Sequence, residues 1–324
     1  MSKTNVKSST YEQVTQQIIE AIEAGVGIWR KPWDTSSVAL NASNTAPVEL
    51  RPQNVTGRAY RGINIVMLWA AAQRKGYATN LWGTYKQWQA QGAQVRKGEK
   101  AAMVVFWKPF EYAATQAMSE QEHSGTQEDP DNTNKKTKSG FLIRVSAVFN
   151  LAQVDGYKPA PVQVNQQITT TKRAPASEAE AFFQALGGDV RYGGNKAYYD
   201  DIHDYIQMPV WGCFYSEPGY YTTLAHETVH WTAHYSRLDR DLHNRFGSEA
   251  YAAEELIAEL GSAFLCADLG INSQLREDHA AYIGDWLRLL KSDSKAIFTA
   301  AAKAQAAVDW LHDKAQAQQT LLCA

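Results

Sequence analysis

The chain has 324 residues, 44% of them hydrophobic and 20% charged, with a net charge of −2; it is long enough for two cores at roughly 100–200 residues each. No apolar run approaches the ~20 residues that span a bilayer, Met1 to Val14 hold no apolar signal-peptide core, and Cys213, Cys266 and Cys323 form neither a disulfide framework nor a C-x-x-C pair, so a soluble cytoplasmic protein is expected. The small net charge hides an asymmetry, +8 over residues 1–110, −2 over 111–150 and −8 over 151–324, which predicts a polyanionic partner for the basic part.

Residues 9–24 place Val14, Ile18, Ile19 and Ile22 at helical spacing, with hydroxyl residues before the start and Gly25 after the end, and predict an amphipathic helix. Pro32 breaks the next segment. The stretch 57–77 reads as a turn and then a helix over 64–75 closed by Gly76, and 80–92 as another short helix. Two β-branched runs, 102–110 and 141–154, predict strands of one sheet. Between them, 111–140 holds almost no large aliphatic side chain; burial there cannot offset the entropy of ordering, which predicts a mobile loop at a hairpin tip.

The polar, Pro-containing stretch 158–177 predicts an interdomain linker. After it come a capped helix ended by Gly187 and Gly188, one or two short strands within 191–209, and helices over 222–236 and 249–270. Residues 276–315 read as mostly helical, with Ile283, Trp286, Leu287, Leu290, Ile297 and Leu311 as the buried stripe. No internal repeat is evident. The fold class expected is α+β in two domains, 1–157 and 178–324.

The helix over 222–236 carries His226, Glu227 and His230 in the order H-E-x-x-H. Residues four apart lie on one helix face, about one turn or ~6 Å from each other. The two imidazoles can therefore aim at one ion while Glu227 projects beside them toward an attacking water. His234, a further turn on, lies ~12 Å from His226 and cannot share that ion. The extended form of the motif fails as well, with Ala233 and Ser236 where its Gly and last His belong.

The third ligand is expected downstream. In the helix over 249–270, Glu255 and Glu259 share a face. Glu255 can complete a His2Glu set, Glu259 can accept a hydrogen bond from a ligand histidine, and Glu254 competes for the ligand position. Three protein ligands leave a fourth position open, as in catalytic rather than structural sites. The expected cofactor is one divalent metal, zinc by donor type, with manganese or cobalt able to occupy the same set. Glu227 is the expected proton carrier of amide hydrolysis.

The basic first third interleaves cations with Trp29, Trp33, Trp69, Trp82, Trp88 and Trp107. Exposed rings stack bases at ~1–3 kcal/mol each while cations follow phosphates, so the mixture suits a single strand better than a duplex. Most of these tryptophans are nevertheless expected in the core. The candidate DNA contacts are Trp29, Arg30, Lys31 and Trp33, then Arg58, Tyr60 and Arg61 in one glycine-containing turn, and Arg96, Lys97 and Lys100 in another.

Read in order, GxxxWRKPW, GRAYRGIN, LWGTYKQW, VRKGEK, HETVHWTAH, SRLDRDL and FGSEAYAAEELIAELGSAFL resemble the ArdC-type antirestriction proteins of conjugative plasmids, and the N-terminal part of TraC-type primases. The resemblance covers nearly the whole chain outside 111–140. It implies an N-terminal domain that binds single-stranded DNA and a C-terminal zincin-like metallopeptidase domain. His226, Glu227 and His230 match the family's metal motif, and the acidic third ligand falls within 254–259, with Glu255 chosen here. It further implies protection of incoming plasmid DNA from restriction in the recipient's cytoplasm. A monomer is expected, and the alternative is a DNA-tethered zinc peptidase that cleaves a DNA-bound protein, such as a host restriction enzyme.

Overall fold

A computed structural model of the protein describes residues 9–24, 51–113, 137–158, 176–214, 216–242, 248–271 and 279–323. Trp29, Arg30, Lys31 and Trp33, the segment 114–136 and nearly all of the expected linker lie outside these residues. Helix α1 (Thr10–Glu23) starts at Ser9, whose hydroxyl accepts from the Glu12 amide while the Glu12 carboxylate accepts from the Ser9 amide. This reciprocal cap satisfies two amides that a helix start otherwise leaves open. Strand β1 (Gln53–Asn54) precedes α2 (Ile63–Lys75), which ends at Gly76 in the left-handed conformation at φ 68°. Next come β2 (Leu81–Gly83), α3 (Tyr85–Ala90), β3 (Gln94–Val95), β4 (Ala102–Ala113), β5 (Thr137–Asn150) and β6 (Val154–Asp155).

Four of these strands form one sheet in the order β1-β2-β5-β4, while β3 pairs with β6. The helix expected over 80–92 is shorter: Leu81–Gly83 pair as a strand, and Thr84 caps the short helix α3. The hairpin of β4 and β5 is longer than expected, pairing Ala113 with Thr137. Ladder hydrogen bonds are made by the backbone, so polar residues at 111–113 and 137–140 can extend it although their side chains suggested a loop. β4 is an edge strand. Asn64 of α2 covers it, exchanging two hydrogen bonds of 2.8 Å with the Val105 backbone as a neighbouring strand would.

The second half runs α4 (Ala176–Leu186), β7 (Asp189–Tyr192), β8 (Tyr198–Asp200), β9 (Tyr205–Met208), α5 (Glu217–Trp231), α6 (Glu249–Asp268), α7 (His279–Ser292) and α8 (Ala296–Cys323). Its sheet has the order β7-β9-β8, with β7 parallel and β8 antiparallel to β9. Of the stripe expected over 276–315, Ile283, Trp286, Leu290, Ile297 and Leu311 are buried and Leu287 is half-buried. No helix among the described residues is long and apolar enough to cross a membrane.

The principal core does not respect the midpoint of the chain. Ile18 and Ile22 of α1, Ile65 and Trp69 of α2 and Val105 of β4 belong to the same cluster as Leu256, Phe264, Trp286 and Leu311. Two smaller clusters stay within the first half, one around Trp88 and one around Trp82. One cluster is thus shared by the two halves, beside the two that the first half keeps to itself. The reason lies in α1 and α2, whose apolar faces have α7 and α8 as partners. The Tyr11 ring packs edge-on against Phe298 at 4.8 Å, and the Thr15 hydroxyl donates to the Ser294 carbonyl at 2.6 Å. Arg51 pairs with Asp268 and Arg61 with Asp309 across the same seam.

Candidate metal centre

Helix α5 begins at Ser216, whose hydroxyl accepts from the Gly219 amide, with Pro218 in the first turn where its missing N–H costs nothing. Most of its residues are buried, so it runs through the interior rather than along the surface. Helix α6 starts from the Ser248 cap and is also largely buried. The two are antiparallel neighbours: the Ser262 hydroxyl donates to the Thr222 carbonyl at 3.0 Å, and toward the other end His230 meets Glu254 and Glu255. Gly261 makes this approach possible, because a Cβ there would lie 2.8 and 2.9 Å from the Val229 methyl carbons.

That contact places one turn of α5 against two turns of α6. Nε2 of His226 and Nε2 of His230 lie 3.1 Å apart. Glu255 offers one carboxylate oxygen to each, at 3.5 Å from His226 and 3.7 Å from His230. One ligand atom from each of the three residues falls within 4.8 Å of the other two. The opposite ring nitrogens meet further carboxylates: Nδ1 of His226 is 3.2 Å from Glu259, and Nδ1 of His230 is 3.3 Å from Glu254. Glu254 therefore stands behind a ring rather than in front of it, the position expected for Glu259 and not the ligand position in which it competed with Glu255.

These distances assign the imidazole protons. A carboxylate beside Nδ1 accepts a hydrogen bond from it, so Nδ1 carries the proton and Nε2 keeps a lone pair. Two Nε2 lone pairs then face each other across 3.1 Å beside a glutamate oxygen. That is an unfavourable grouping unless a cation lies between them. Ligands at ~2.0–2.2 Å from a tetrahedral zinc are about 3.3 Å from one another, close to the separations found. The donor chemistry and spacing fit a single divalent ion.

Electrostatics around the group are strongly polarised. His226, Glu227, Glu254 and Glu255 are all buried, at 3–7% exposure, where charge is costly unless compensated. Burial pushes the Glu254 carboxyl up, but hydrogen bonds from His230 and Arg240 and their charges outweigh it and hold the group below its ordinary range. Cys266 lies outside the group of three ligand atoms, its thiol beside the Thr222 hydroxyl and pushed up to about 12 by burial.

Sequence reasoning missed Arg240. Asp239, at φ 47°, turns the chain after α5 so that Arg240 folds back over the helix end. Arg240 donates to both Glu254 oxygens at 2.8 and 3.1 Å, to the Val229 carbonyl at 2.8 Å and to the Thr232 hydroxyl at 2.9 Å. Arg240 sits within SRLDRDL, but nothing in its spacing from His230 points to Glu254. The contact exists only in three dimensions.

The expected DNA contacts fare unevenly. Arg58, Lys97 and Lys100 are exposed. Arg96 is exposed too, but holds Asp155 at 3.1 Å and Glu99 at 3.0 Å, and Arg61 is paired with Asp309. Tyr60 is corrected: it is 7% exposed, packed in the cluster around Trp82, with its hydroxyl accepting from Asn54. A ring sealed between apolar neighbours has no face left for a base. Trp69, Trp82 and Trp88 are core residues. Exposed rings occur instead on β4, at Phe106 and Trp107, and Phe106 stands opposite exposed Arg144 of β5. Phe106 was overlooked because it reads as part of an ordinary apolar strand.

Known proteins share both halves of this arrangement. The profile of the N-terminal domain of anti-restriction factor ArdC matches residues 8–149, and that of a zincin-like metallopeptidase matches residues 177–303. The chain is 46% identical over 302 residues to the uncharacterized protein y4eC of Sinorhizobium fredii, covering 93% of this chain and 91% of that protein. It is 38% identical over 309 residues to the DNA primase TraC of Escherichia coli, covering 94% of this chain but only 27% of the primase. The crystal structure of metal-free ArdC antirestriction protein from the R388 plasmid aligns with a TM-score of 0.71 at 41% identity, over 95% of this chain and 98% of that one. The Mn(II)-bound structure of that ArdC aligns at 0.68 and 40% identity, with the same coverage. Since both halves match in order, and nearly all of a 41%-identical ArdC is covered, the chain belongs to the ArdC antirestriction family, an ArdC N-terminal domain joined to a zincin-like metallopeptidase domain.

Proposed function

We propose that the protein binds single-stranded DNA through its basic first half, shields incoming plasmid DNA from restriction, and carries a divalent-metal peptidase site in its second half. It acts as a monomer in the cytoplasm of the cell that receives the DNA. The observation that carries the metal site is the pair of Nε2 atoms 3.1 Å apart, backed by carboxylates and facing Glu255. His226, His230 and Glu255 hold the ion and Glu227 is the proton carrier. The Mn(II)-bound ArdC relative supports a divalent cation in this fold. Zinc suits two imidazoles and a carboxylate best, with manganese or cobalt as substitutes set by availability.

Bound there, the cation supplies Lewis acidity, polarising a peptide carbonyl and acidifying water. The chain's own groups do the rest. Glu259 and Glu254 hold the two Nδ1 protons and fix the rings. The Glu227 carboxylate takes a proton from the attacking water and delivers it to the leaving amine. On the other half, Arg58, Arg96, Lys97 and Lys100 follow phosphates, and the rings of Phe106 and Trp107 offer stacking faces to unpaired bases.

A second reading, a peptidase tethered by DNA to a DNA-bound protein, is favoured by Glu227, buried in α5 and next in sequence to His226. One variant separates the two. Glu227→Ala is expected to keep metal and single-strand binding and to lose peptide hydrolysis. If it still protects plasmid DNA in full, protection rests on coating; if protection disappears, the peptidase is the antirestriction activity. A wild-type protein that retards duplex and single strand equally in gel shifts at matched salt would remove the DNA reading.

A further inference from the structure

The geometry points to Arg240 as a positioning residue for the metal site, acting on His230 through Glu254. The inference rests on His226, His230 and Glu255 being metal ligands. The Arg240 side chain is buried, 6% exposed. Two of its side-chain hydrogen bonds, to the Val229 carbonyl and the Thr232 hydroxyl, tie down the last turn of α5. Anchoring the loop needs no more than these. The guanidinium instead turns its Nε and Nη2 edge to Glu254, engaging both carboxylate oxygens at 3.1 and 2.8 Å. This is the paired fork that a planar guanidinium makes and an ammonium cannot.

Glu254 Oε1, which receives Arg240 Nη2, is also the oxygen 3.3 Å from His230 Nδ1. A chain of three side chains thus runs from the loop after α5, through α6, back into α5. It acts at two points. The carboxylate is held in one rotamer, so the His230 ring is held with Nε2 toward His226 and Glu255 rather than swung away. Glu255 is the next residue of α6, so the same clasp fixes the helix turn that presents the carboxylate ligand. Partners of ligand histidines commonly contribute about 10–100-fold to metal affinity. Arg240 is one contact further out: it reaches the His230 ring through Glu254, while its bonds to Val229 and Thr232 hold the backbone of the same turn.

The test is a double-mutant cycle on metal affinity in the full chain, with Zn2+ and Mn2+ measured by competition against a chromophoric chelator and metal-free thermal unfolding followed in parallel. Arg240→Ala and Glu254→Ala are each expected to weaken the ion by roughly 10–100-fold. Arg240→Lys is expected to fall between Arg240→Ala and wild type, and the Co2+ absorption spectrum to change in all three. The double variant should lose clearly less than the product of the two single losses, because the link from Arg240 to the His230 ring runs through Glu254. Losses that multiply in the double variant, or wild-type affinity in a folded Arg240→Ala, would overturn the inference. If Arg240→Ala does not fold, unchanged affinity and spectrum in Arg240→Lys overturn it instead. A wild-type chain that takes up no ion sinks the metal reading and the clasp together; a wild-type chain that binds normally beside unaffected Arg240 variants sinks the clasp alone.

Discussion

Gly261 sets the distance between the two helices that carry the candidate metal ligands. A methyl group there would press into Val229 at 2.8 and 2.9 Å, closer than carbon atoms pack, and both residues are deep in the interior. Gly261→Ala is expected to push α6 off α5, at a cost of about 1–3 kcal/mol for overpacking, and to draw Glu255 away from the two imidazoles. Thermal unfolding and metal titration should both register it, and a variant that matches wild type in both would contradict this account of the helix spacing. Residues differ in how far they announce such roles. His226, Glu227 and His230 are legible because one helix supplies all three at a fixed period. Glu255 in front of the imidazoles and Glu259 behind one of them are legible from a second helix, though which ring Glu259 serves, and that Glu254 serves the other, was not. Gly261 and Arg240 are silent, since their partners lie 32 and 14 residues away in sequence.

At the scale of elements, the small sheet is fastened to α5 by Arg237. Its guanidinium stacks over the Trp231 ring at 4.2 Å and donates to the Trp231 carbonyl, to Asp204 and to the Tyr199 hydroxyl. The Arg237 bond is the main cause that lowers the Asp204 pKa, burial opposing it and the Tyr199 hydroxyl assisting. A folded-state value below the ordinary 3.8 means that this carboxylate contributes stability that is complete above 3.8 and is lost as the pH falls through the folded value. Asp204 is about a third exposed, so the contribution is of the order of 1 kcal/mol or less. Denaturant unfolding across the acid range should show a shallower loss of stability for Asp204→Asn than for wild type. Identical slopes would mean that the clasp is not what joins sheet to helix. The helices were readable from their 3.6-residue period, although α5 runs over Glu217–Trp231 rather than 222–236, whereas β1, β2, β3 and β6 have only two or three residues each, too few for an alternating pattern. The outer part of the β4–β5 hairpin was hidden for a different reason, since its polar side chains carry no record of backbone pairing.

At the scale of the whole molecule, opposite charge on the two halves serves the fold as well as any ligand. Arg51 and Arg61 of the basic half meet Asp268 and Asp309 of the acidic half, and Lys291 returns the contact to Glu23 of α1 at 2.9 Å. Beneath these pairs Ile18, Ile22 and Ile65 lie in the shared core, each contributing about 1.5–3 kcal/mol by burial. The charge asymmetry was plain from composition, but its partial use within the chain was not, because pairing between halves depends on where α1 docks. The shared core also means that the metal helices rest on elements from the first half, so the metal centre has to be measured in the full chain. Elemental analysis of the purified protein beside His226→Ala is the most direct measurement. One divalent ion per wild-type chain is expected, with zinc favoured, and its loss in the variant. A wild-type chain free of metal after saturation and desalting, or a variant that retains the same content, would contradict that expectation.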